Sequence, residues 1–148
     1  MAIDAAGAAR VVARQKGVEV AVEEFEEAPV VGDPSLVRQL IMILLDNAVK
    51  FTDRGGEVRV RVSMRQGAPT FIVEDTGIGI KPDDLSRVFQ RFFRGEIARS
   101  RTDGAGLGLS IARWIAREHG AEISLTSESG KGTKVILTFP RALAGVSS

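Results

Sequence analysis

The stretch Glu74-Asp75-Thr76-Gly77-Ile78-Gly79-Ile80 follows a run of β-branched and aromatic residues, Thr70-Phe71-Ile72-Val73, which predicts a strand. The strand ends at the carboxylate of Asp75, and Gly77 and Gly79 then let the backbone turn sharply and let a ligand approach it. A carboxylate held beside an open backbone is able to accept a hydrogen bond from an amino group on a base. A plain turn is the alternative that this stretch alone leaves open.

Composition narrows the class of protein. The chain has 148 residues, of which 44% are hydrophobic and 26% charged, as in an ordinary soluble globular domain. The formal net charge of +1 favours neither nucleic acid nor a membrane surface as a partner. The sequence has no cysteine and one histidine, His119, which excludes disulfides, thiolate metal sites and multi-histidine sites and fits a cytoplasmic location. No signal peptide or membrane-spanning run is visible, so we expect no direct membrane contact by this domain.

Periodicity predicts a single domain over residues 1–148, with an N-terminal helix up to residue 16 and a frayed tail at 141–148. Predicted strands cover 18–25, 58–62, 70–75, 122–126 and 133–139. Further helices are predicted over 34–51, from about residue 81, and from the glycine-rich stretch at 104 to 119. In the last of these helices, Trp114 and Ile115 are expected in the core, and His119 is expected to be structural rather than catalytic.

The helix that begins at Asp33-Pro34 carries an apolar stripe together with Asn47 and Lys50, which lie three residues apart on one face. An amide deep in an apolar helix needs a partner. A satisfied core amide is one explanation, but Lys50 beside it favours a polar ligand.

Two further segments favour phosphate binding. Phenylalanines at 89, 92 and 93 predict an anchored segment, and the polar, glycine-flanked stretch 95–104 predicts a mobile loop. Most arginines near this loop fit a solvated basic surface, although one or two could close on phosphate. The stretch Gly104-Ala105-Gly106-Leu107-Gly108-Leu109 then opens a helix, whose backbone N–H groups and dipole favour an anion.

Taken in order, these elements describe a nucleoside triphosphate site without a P-loop. Asp75 is placed to read an adenine amino group, and Asn47 offers an amide oxygen to Mg2+, a cation that prefers oxygen ligands. Lys50 and an arginine would neutralise phosphate, and the glycines at 104, 106 and 108 would cradle it.

This arrangement closely resembles the ATP-binding catalytic domain of bacterial sensor histidine kinases, in the Bergerat-fold ATPase superfamily. The similarity extends from about Gly17 to Pro140. The matching segments are similar to the N box (46–52), the first glycine box (75–79), the F box (88–94), the second glycine box (104–109) and the last box (130–133), whose threonine lies near the adenine.

The resemblance implies an α+β fold: a two-layer α/β sandwich with a mixed sheet of about five strands, helices on one face and a mobile ATP lid. It also implies ATP and Mg2+ as cofactors and transfer of the ATP γ-phosphate to a histidine on a separate dimerisation domain. The N-terminal helix carries no histidine. We therefore expect that domain, and the response regulator, to be reached through a longer parent kinase, which could be membrane-anchored.

The resemblance also implies roles for individual residues. Catalysis would fall to Asn47, Lys50 and Arg91, with Asn47 as the Mg2+ ligand. The ATP-binding residues would be Asn47, Lys50, Asp75, Gly77, Gly79, Arg94, Gly104, Gly106, Leu107, Gly108, Leu109 and Thr133.

One departure from the family pattern keeps alternatives open. The N box usually carries a second asparagine four residues before Asn47, where this chain has Ile43, which cannot coordinate Mg2+ or orient a water. Ile43 counts against the ATP-hydrolysing gyrases and chaperones, where a carboxylate base is expected there. The alternatives are a degenerate nucleotide-sensing module that binds ATP without transfer, and an anti-sigma-factor serine kinase. The long F box and arginine-rich loop favour the histidine kinase over the latter.

Overall fold

The computed structural model of the chain describes residues 2–26, 30, 32–77, 105–128 and 131–140. The helices in these ranges are α1 (Ala2–Lys16), α2 (Pro34–Lys50) and α3 (Ala105–Glu118). The strands are β1 (Glu19–Phe25), β2 (Glu57–Arg65), β3 (Ala68–Asp75), β4 (Glu122–Glu128) and β5 (Gly132–Thr138). The helix predicted from about residue 81 lies outside the described residues, as does the tail at 141–148.

The strands form one five-stranded sheet in the order β1-β2-β3-β5-β4. β1 is parallel to β2, and the other neighbours are antiparallel, so the predicted mixed sheet is confirmed. β2 and β3 form a hairpin that pairs Val58 with Asp75 at its open end. Its turn is made by Gln66 and Gly67, both with positive φ, which matches the right-handed twist of the flanking strands. The sheet therefore brings the end of β3 between β2 and β5.

Helices cover one face of this sheet. Alternate residues of the central strands, such as Val60 and Val73, are buried in a single core with residues of the helices, such as Leu40 and Ile115. The opposite face of β2 is polar, and its arginines Arg59 and Arg61 pair with acidic side chains of β2 itself and of the neighbouring strands. The predicted two-layer α+β sandwich is confirmed. Within the described ranges, no helix is long and apolar enough to cross a membrane.

His119 joins the C-terminal end of α3 to the N-terminal end of α2. Its Nε2 accepts a hydrogen bond from the backbone N–H of Asp33 at 3.1 Å, and its Nδ1 donates to the Ile115 carbonyl oxygen at 2.9 Å. Asp33 in turn caps α2, because its Oδ1 accepts from the backbone N–H of Ser35 at 2.9 Å. His119 therefore has the structural role predicted for it.

The expectation that Trp114 lies in the core is wrong. Ile115 is fully buried, as expected, but Trp114 is 54% exposed. The buried stripe of α3 is formed by Ala112, Ile115 and Ala116, which recur at helical spacing. Trp114 lies outside this stripe, next to the exposed Ile111, and the aromatic character of the side chain does not override its position on the helix.

Candidate functional site

Asp75 lies at the end of β3 and is 8% exposed. Its Oδ1 accepts two backbone hydrogen bonds, from the N–H of Gly77 at 2.8 Å and of Thr133 at 3.3 Å. Within the part of the chain that the structure describes, its Oδ2 accepts none, and no side-chain oxygen there is fully buried without a partner. One carboxylate oxygen is therefore anchored, and the other remains reachable for an outside donor.

The electrostatics of Asp75 set it apart from surface carboxylates. Burial raises the pKa of Asp75 to about 6, the backbone N–H groups of Gly77 and Thr133 oppose that rise, and the charge of Glu74 adds to it. The group is ionised at neutral pH, yet its charge is poorly solvated. A donor that reaches Oδ2 would thus meet a carboxylate with little competition from water.

Two glycines allow three elements to converge on Asp75. A Cβ atom at Gly77 would collide with the backbone carbonyl of Phe51, the residue that caps the end of α2. A Cβ atom at Gly132 would collide with the carbonyl of Asp75 itself, and the φ of Gly132, 136°, also excludes most side chains. Close approach of the Phe51 carbonyl therefore requires glycine at position 77, whereas the approach of a ligand to this glycine stays a prediction.

Asn47 lies in the last turns of α2 and is 8% exposed. Its side-chain amide forms no hydrogen bond within the described ranges, yet no side-chain nitrogen or oxygen there is fully buried without a partner. The amide therefore keeps an accessible edge, and the explanation as a satisfied core amide is not the one that the structure favours. Ile43, one turn earlier, is half-buried and packs against the core.

Lys50 forms an ion pair with Asp46, at 3.2 Å between Nζ and Oδ2. Both side chains are substantially exposed, at 39% and 49%, and an exposed pair at this helical spacing contributes only about 0.3–0.5 kcal/mol. Such a pair leaves Lys50 available for another anion, such as a phosphate group.

Sequence reasoning missed Lys16, at the end of α1. Its Nζ donates to the backbone carbonyl oxygens of Val49 at 2.9 Å and Lys50 at 2.6 Å, in the last turn of α2. These carbonyls lie at the negative end of the helix dipole, where a cation is stabilising. Lys16 thus holds the segment that carries Asn47 and Lys50. The only signal in the sequence was a lysine before Gly17 at a helix end.

The glycine-rich stretch lies at the start of α3. The helix begins at Ala105, so Gly106, Leu107, Gly108 and Leu109 belong to its first turns. The first N–H groups of a helix have no acceptor within it, which suits the binding of an anion. Gly79, Arg91, Arg94, Gly104 and the predicted lid loop at 95–104 lie outside the described residues.

Thr133 stands directly opposite Asp75 across β3 and β5, and Ser127 stands directly opposite Thr133 across β5 and β4. Thr133 was expected near the site from the resemblance, and the register places it next to Asp75. Ser127 was not singled out, because nothing in the sequence shows which residue of β4 pairs with Thr133. The structure thus brings Asp75, Gly77 and Thr133 together, beside the end of α2.

Residues 32–143 match the sequence profile of the family described as histidine kinase-, DNA gyrase B-, and HSP90-like ATPases. The chain belongs to this ATPase family. The similarity that the motifs indicated is confirmed, and the family description makes ATP the nucleotide of the fold.

Among curated relatives, this ATPase-family chain is 42% identical over 121 residues to sensor histidine kinase YkoH of Bacillus subtilis (strain 168), covering 81% of the chain and 26% of the relative. It is 40% identical over 118 residues to histidine protein kinase DivJ of Caulobacter vibrioides, covering 80% of the chain and 20% of the relative. The chain therefore spans about a quarter of the length of the kinases it matches.

Solved structures of sensor histidine kinases have a similar fold. The mycobacterial sensor histidine kinase MprB superposes with a TM-score of 0.80 at 29% identity, over 93% of this chain and 94% of MprB. Full-length ShkA, solved in complex with AMPPNP, superposes with a TM-score of 0.79 at 32% identity, over 94% of this chain and 29% of ShkA. The chain has the catalytic-domain fold of sensor histidine kinases.

Proposed function

We propose that this chain is the ATP-binding kinase domain of a two-component sensor histidine kinase, and that Asp75 accepts a hydrogen bond from the amino group of adenine. The observation that carries the proposal is the asymmetry of the Asp75 carboxylate. Oδ1 is anchored by two backbone N–H groups, whereas Oδ2 accepts no hydrogen bond from the residues that the structure describes and is left for an outside donor. The complex of ShkA with AMPPNP supports a nucleotide as the ligand of this fold.

The phosphate end of the site is proposed to lie between the end of α2 and the start of α3; the two helices pack against each other. Asn47 offers an amide oxygen, and Mg2+ typically takes only one or two protein ligands besides phosphate oxygens and water. Bound there, Mg2+ would supply neutralisation of phosphate charge. Lys50, Arg91 and Arg94 would add further positive charge, and Gly104 to Leu109 would supply backbone N–H groups. Gly79 would let the adenine approach the backbone.

The phosphoacceptor is proposed to be a histidine outside this chain. His119 is the only histidine here, and both of its ring nitrogens form hydrogen bonds, Nε2 with the backbone N–H of Asp33 at the start of α2 and Nδ1 with the carbonyl oxygen of Ile115 in α3. In the proposed reaction a ring nitrogen of an outside histidine attacks the γ-phosphorus, the bond to the bridging oxygen breaks, and ADP leaves while the imidazole loses its proton. The acceptor would be carried by a dimerisation domain of the same kinase, and a response regulator would later receive the phosphoryl group. We place this domain in the cytoplasm, with the parent kinase free to be membrane-anchored.

Substitution of Asp75 by Asn tests the nucleotide site. The amide replaces an ionised acceptor and removes a charge-assisted hydrogen bond, so ADP affinity should fall by about one to two orders of magnitude. Calorimetric titration with ADP measures this, with thermal unfolding as a check of the fold. The matched control is Glu74→Gln, which removes a charge from the neighbouring residue, whose side chain points to the other face of β3. Equal ADP affinity in wild type and Asp75→Asn would remove Asp75 from the site.

Substitution of Asn47 tests the metal assignment. If its amide oxygen is a Mg2+ ligand, Asn47→Asp should keep magnesium-dependent ATP binding, because a carboxylate also ligates Mg2+. Asn47→Leu should lose that dependence while retaining the fold, as measured by titration with and without Mg2+ and by thermal unfolding. A folded leucine variant with unchanged Mg2+ dependence would show that Asn47 is only structural.

A phosphotransfer assay tests the reaction itself. The chain is mixed with a separately produced histidine-bearing dimerisation domain and labelled ATP, and an acid-labile, alkali-stable phosphoprotein is expected. An acid-stable product would instead indicate a serine kinase. Nucleotide binding without any transfer would favour the sensing module, the alternative that Ile43 supports.

A further inference from the structure

A row of three polar side chains crosses the sheet at the candidate adenine site. Asp75 of β3, Thr133 of β5 and Ser127 of β4 are direct cross-strand partners, so their side chains project from the same face of the sheet. The next row on that face contains Val73, which is buried in the core beneath the helices. Ser127 and Thr133 are half-buried. The row therefore forms the polar end of the face that the helices cover.

A hydrogen bond links the two hydroxyl groups of this row. Ser127 Oγ donates to the carbonyl oxygen of Gly132 at 3.0 Å, and it lies 2.8 Å from Oγ1 of Thr133. A hydroxyl carries one proton, and a carbonyl oxygen only accepts. Either hydroxyl is able to donate in the bond between them. When the Ser127 proton is directed to the carbonyl oxygen of Gly132, Thr133 is the donor, and its hydroxyl then offers lone pairs, and no proton, to a ligand.

Asp75 also offers a hydrogen-bond acceptor to a ligand. Its Oδ1 is held by the backbone N–H groups of Gly77 and Thr133, and its Oδ2 remains as an acceptor. Two acceptors on cross-strand partners are therefore offered from the same face of the sheet. A primary amino group satisfies them, since its single nitrogen carries two N–H donors. A carbonyl oxygen in place of the amino group meets acceptors only and leaves buried polar atoms unpaired.

We propose that Ser127 is a specificity-determining residue, which selects 6-aminopurine over 6-oxopurine nucleotides by holding the Thr133 hydroxyl as an acceptor. Ser127 acts through Thr133 and is a positioning residue. This inference rests on the proposed function, because it assumes that the base lies against Asp75. It explains why an inosine nucleotide is rejected. Inosine differs from adenosine only in the six-substituent and in the proton on the adjacent N1.

The test is calorimetric titration of ADP and IDP against wild type and variants, with the ratio of the two dissociation constants as the readout. Wild type should bind ADP at least about tenfold more tightly than IDP, as expected when one buried polar group is left unpaired. Ser127→Ala frees the Thr133 proton for donation to the six-oxo group. The ratio should then fall by about fivefold, which is the worth of one hydrogen bond.

Two control variants separate this effect from a general loss of stability. Ser127→Thr keeps the hydroxyl in a residue that suits a strand, and it should restore the wild-type ratio. Ser124→Ala removes an exposed hydroxyl of the same strand, which pairs with Ile136 rather than Thr133, and it should leave the ratio unchanged. In a Thr133→Val background, Ser127→Ala should have no further effect on the ratio, because the group it orients is gone. If Ser127→Ala fails to fold, Ser127→Cys replaces it, since a thiol is a weak acceptor.

The inference is overturned if Ser127→Ala, or Ser127→Cys in its place, keeps the wild-type ratio of the two dissociation constants. It is also overturned if the effect of Ser127→Ala on this ratio persists in the Thr133→Val background. These outcomes leave the proposed function intact as long as wild type binds ADP. A wild-type chain that binds neither nucleotide contradicts the proposed function instead, so the two failures are distinguishable.

Discussion

At the scale of single residues, Asp75 combines two opposing demands. The carboxylate is buried to a degree that favours its neutral form, while two backbone N–H groups favour the ionised form. Burial prevails, and the pKa of Asp75 rises to about 6. A stable fold would be better served by an apolar residue here. The charge is retained at a cost to stability, which is expected of a group that serves a ligand.

The raised pKa of Asp75 predicts how stability depends on pH. Its folded pKa of about 6 lies above its unfolded value, so this group stabilises the fold fully below about pH 4, and the contribution is lost as pH rises through 6. The free energy of unfolding attributable to Asp75 should therefore decrease by about 2–3 kcal/mol between pH 4 and pH 7. Urea denaturation across this range measures the slope.

The comparison that isolates Asp75 in these titrations is the difference between wild type and Asp75→Asn. The difference should change with pH in the stated direction, whereas the difference between wild type and Glu74→Gln should show only a small step near pH 6, because the charge of Glu74 is the smallest of the contributions to the pKa of Asp75. An Asp75→Asn variant whose stability runs parallel to wild type from pH 4 to pH 7 would contradict the raised pKa.

Gly132 and Gly55 both have positive φ, and substituting each by alanine tests how much close packing at Gly132 contributes to stability. Gly132→Ala would place a methyl group against the carbonyl of Asp75 at a φ of 136°, whereas Gly55→Ala, at a φ of 90°, would meet nothing within 4 Å. We expect Gly55→Ala to cost about 1 kcal/mol through backbone strain alone, and Gly132→Ala about 3 kcal/mol or more. Equal losses in urea denaturation would show that the packing against Asp75 is loose.

At the scale of elements, the C-terminal end of α2 is held from two sides. Lys16 reaches it from α1 through the carbonyls of Val49 and Lys50, and Gly77 lies against the carbonyl of Phe51. The position of the end of α2 therefore depends on contacts with α1 and with the end of β3. This arrangement fixes Asn47 relative to Asp75 without any direct bond between the two side chains.

Substitution of Lys16 by Met should weaken this anchor. The change keeps the aliphatic stem and removes the ammonium group that donates to two carbonyls at the helix end. We expect a loss of about 1–2 kcal/mol in the free energy of unfolding. The control is Arg14→Met, which removes an exposed charge from the same turn of α1 and should cost less than about 0.5 kcal/mol. A Lys16→Met variant as stable as the control would show that the anchor is dispensable.

At the scale of the whole molecule, the sequence predicted the fold because each element has a clear local signal. Alternation with period two identified the strands, and Asp33-Pro34 marked the start of α2. The place of Asp75 and Gly77 at a strand end was predicted as well, and the roles proposed for them rest on that place. The contacts of Lys16 could not be predicted, because they join residues that are far apart in the chain and depend on how α1 packs against α2. Ser127 was missed for a related reason, since its importance depends on strand register.

The pairing of β3 with β5 has a consequence for how this chain can change in length. These strands are neighbours, although the chain leaves β3 at Asp75 and returns in β5 only at Gly132. The entropy of closing such a connection grows with the logarithm of its length, by about 0.6 kcal/mol for each doubling. Asp75 is held by backbone groups at the two ends of this connection, Gly77 and Thr133. Insertions in the connections between elements of this span would therefore cost little closure entropy, whereas α3 and β4, which lie within it, must keep their packing for the carboxylate to keep its place.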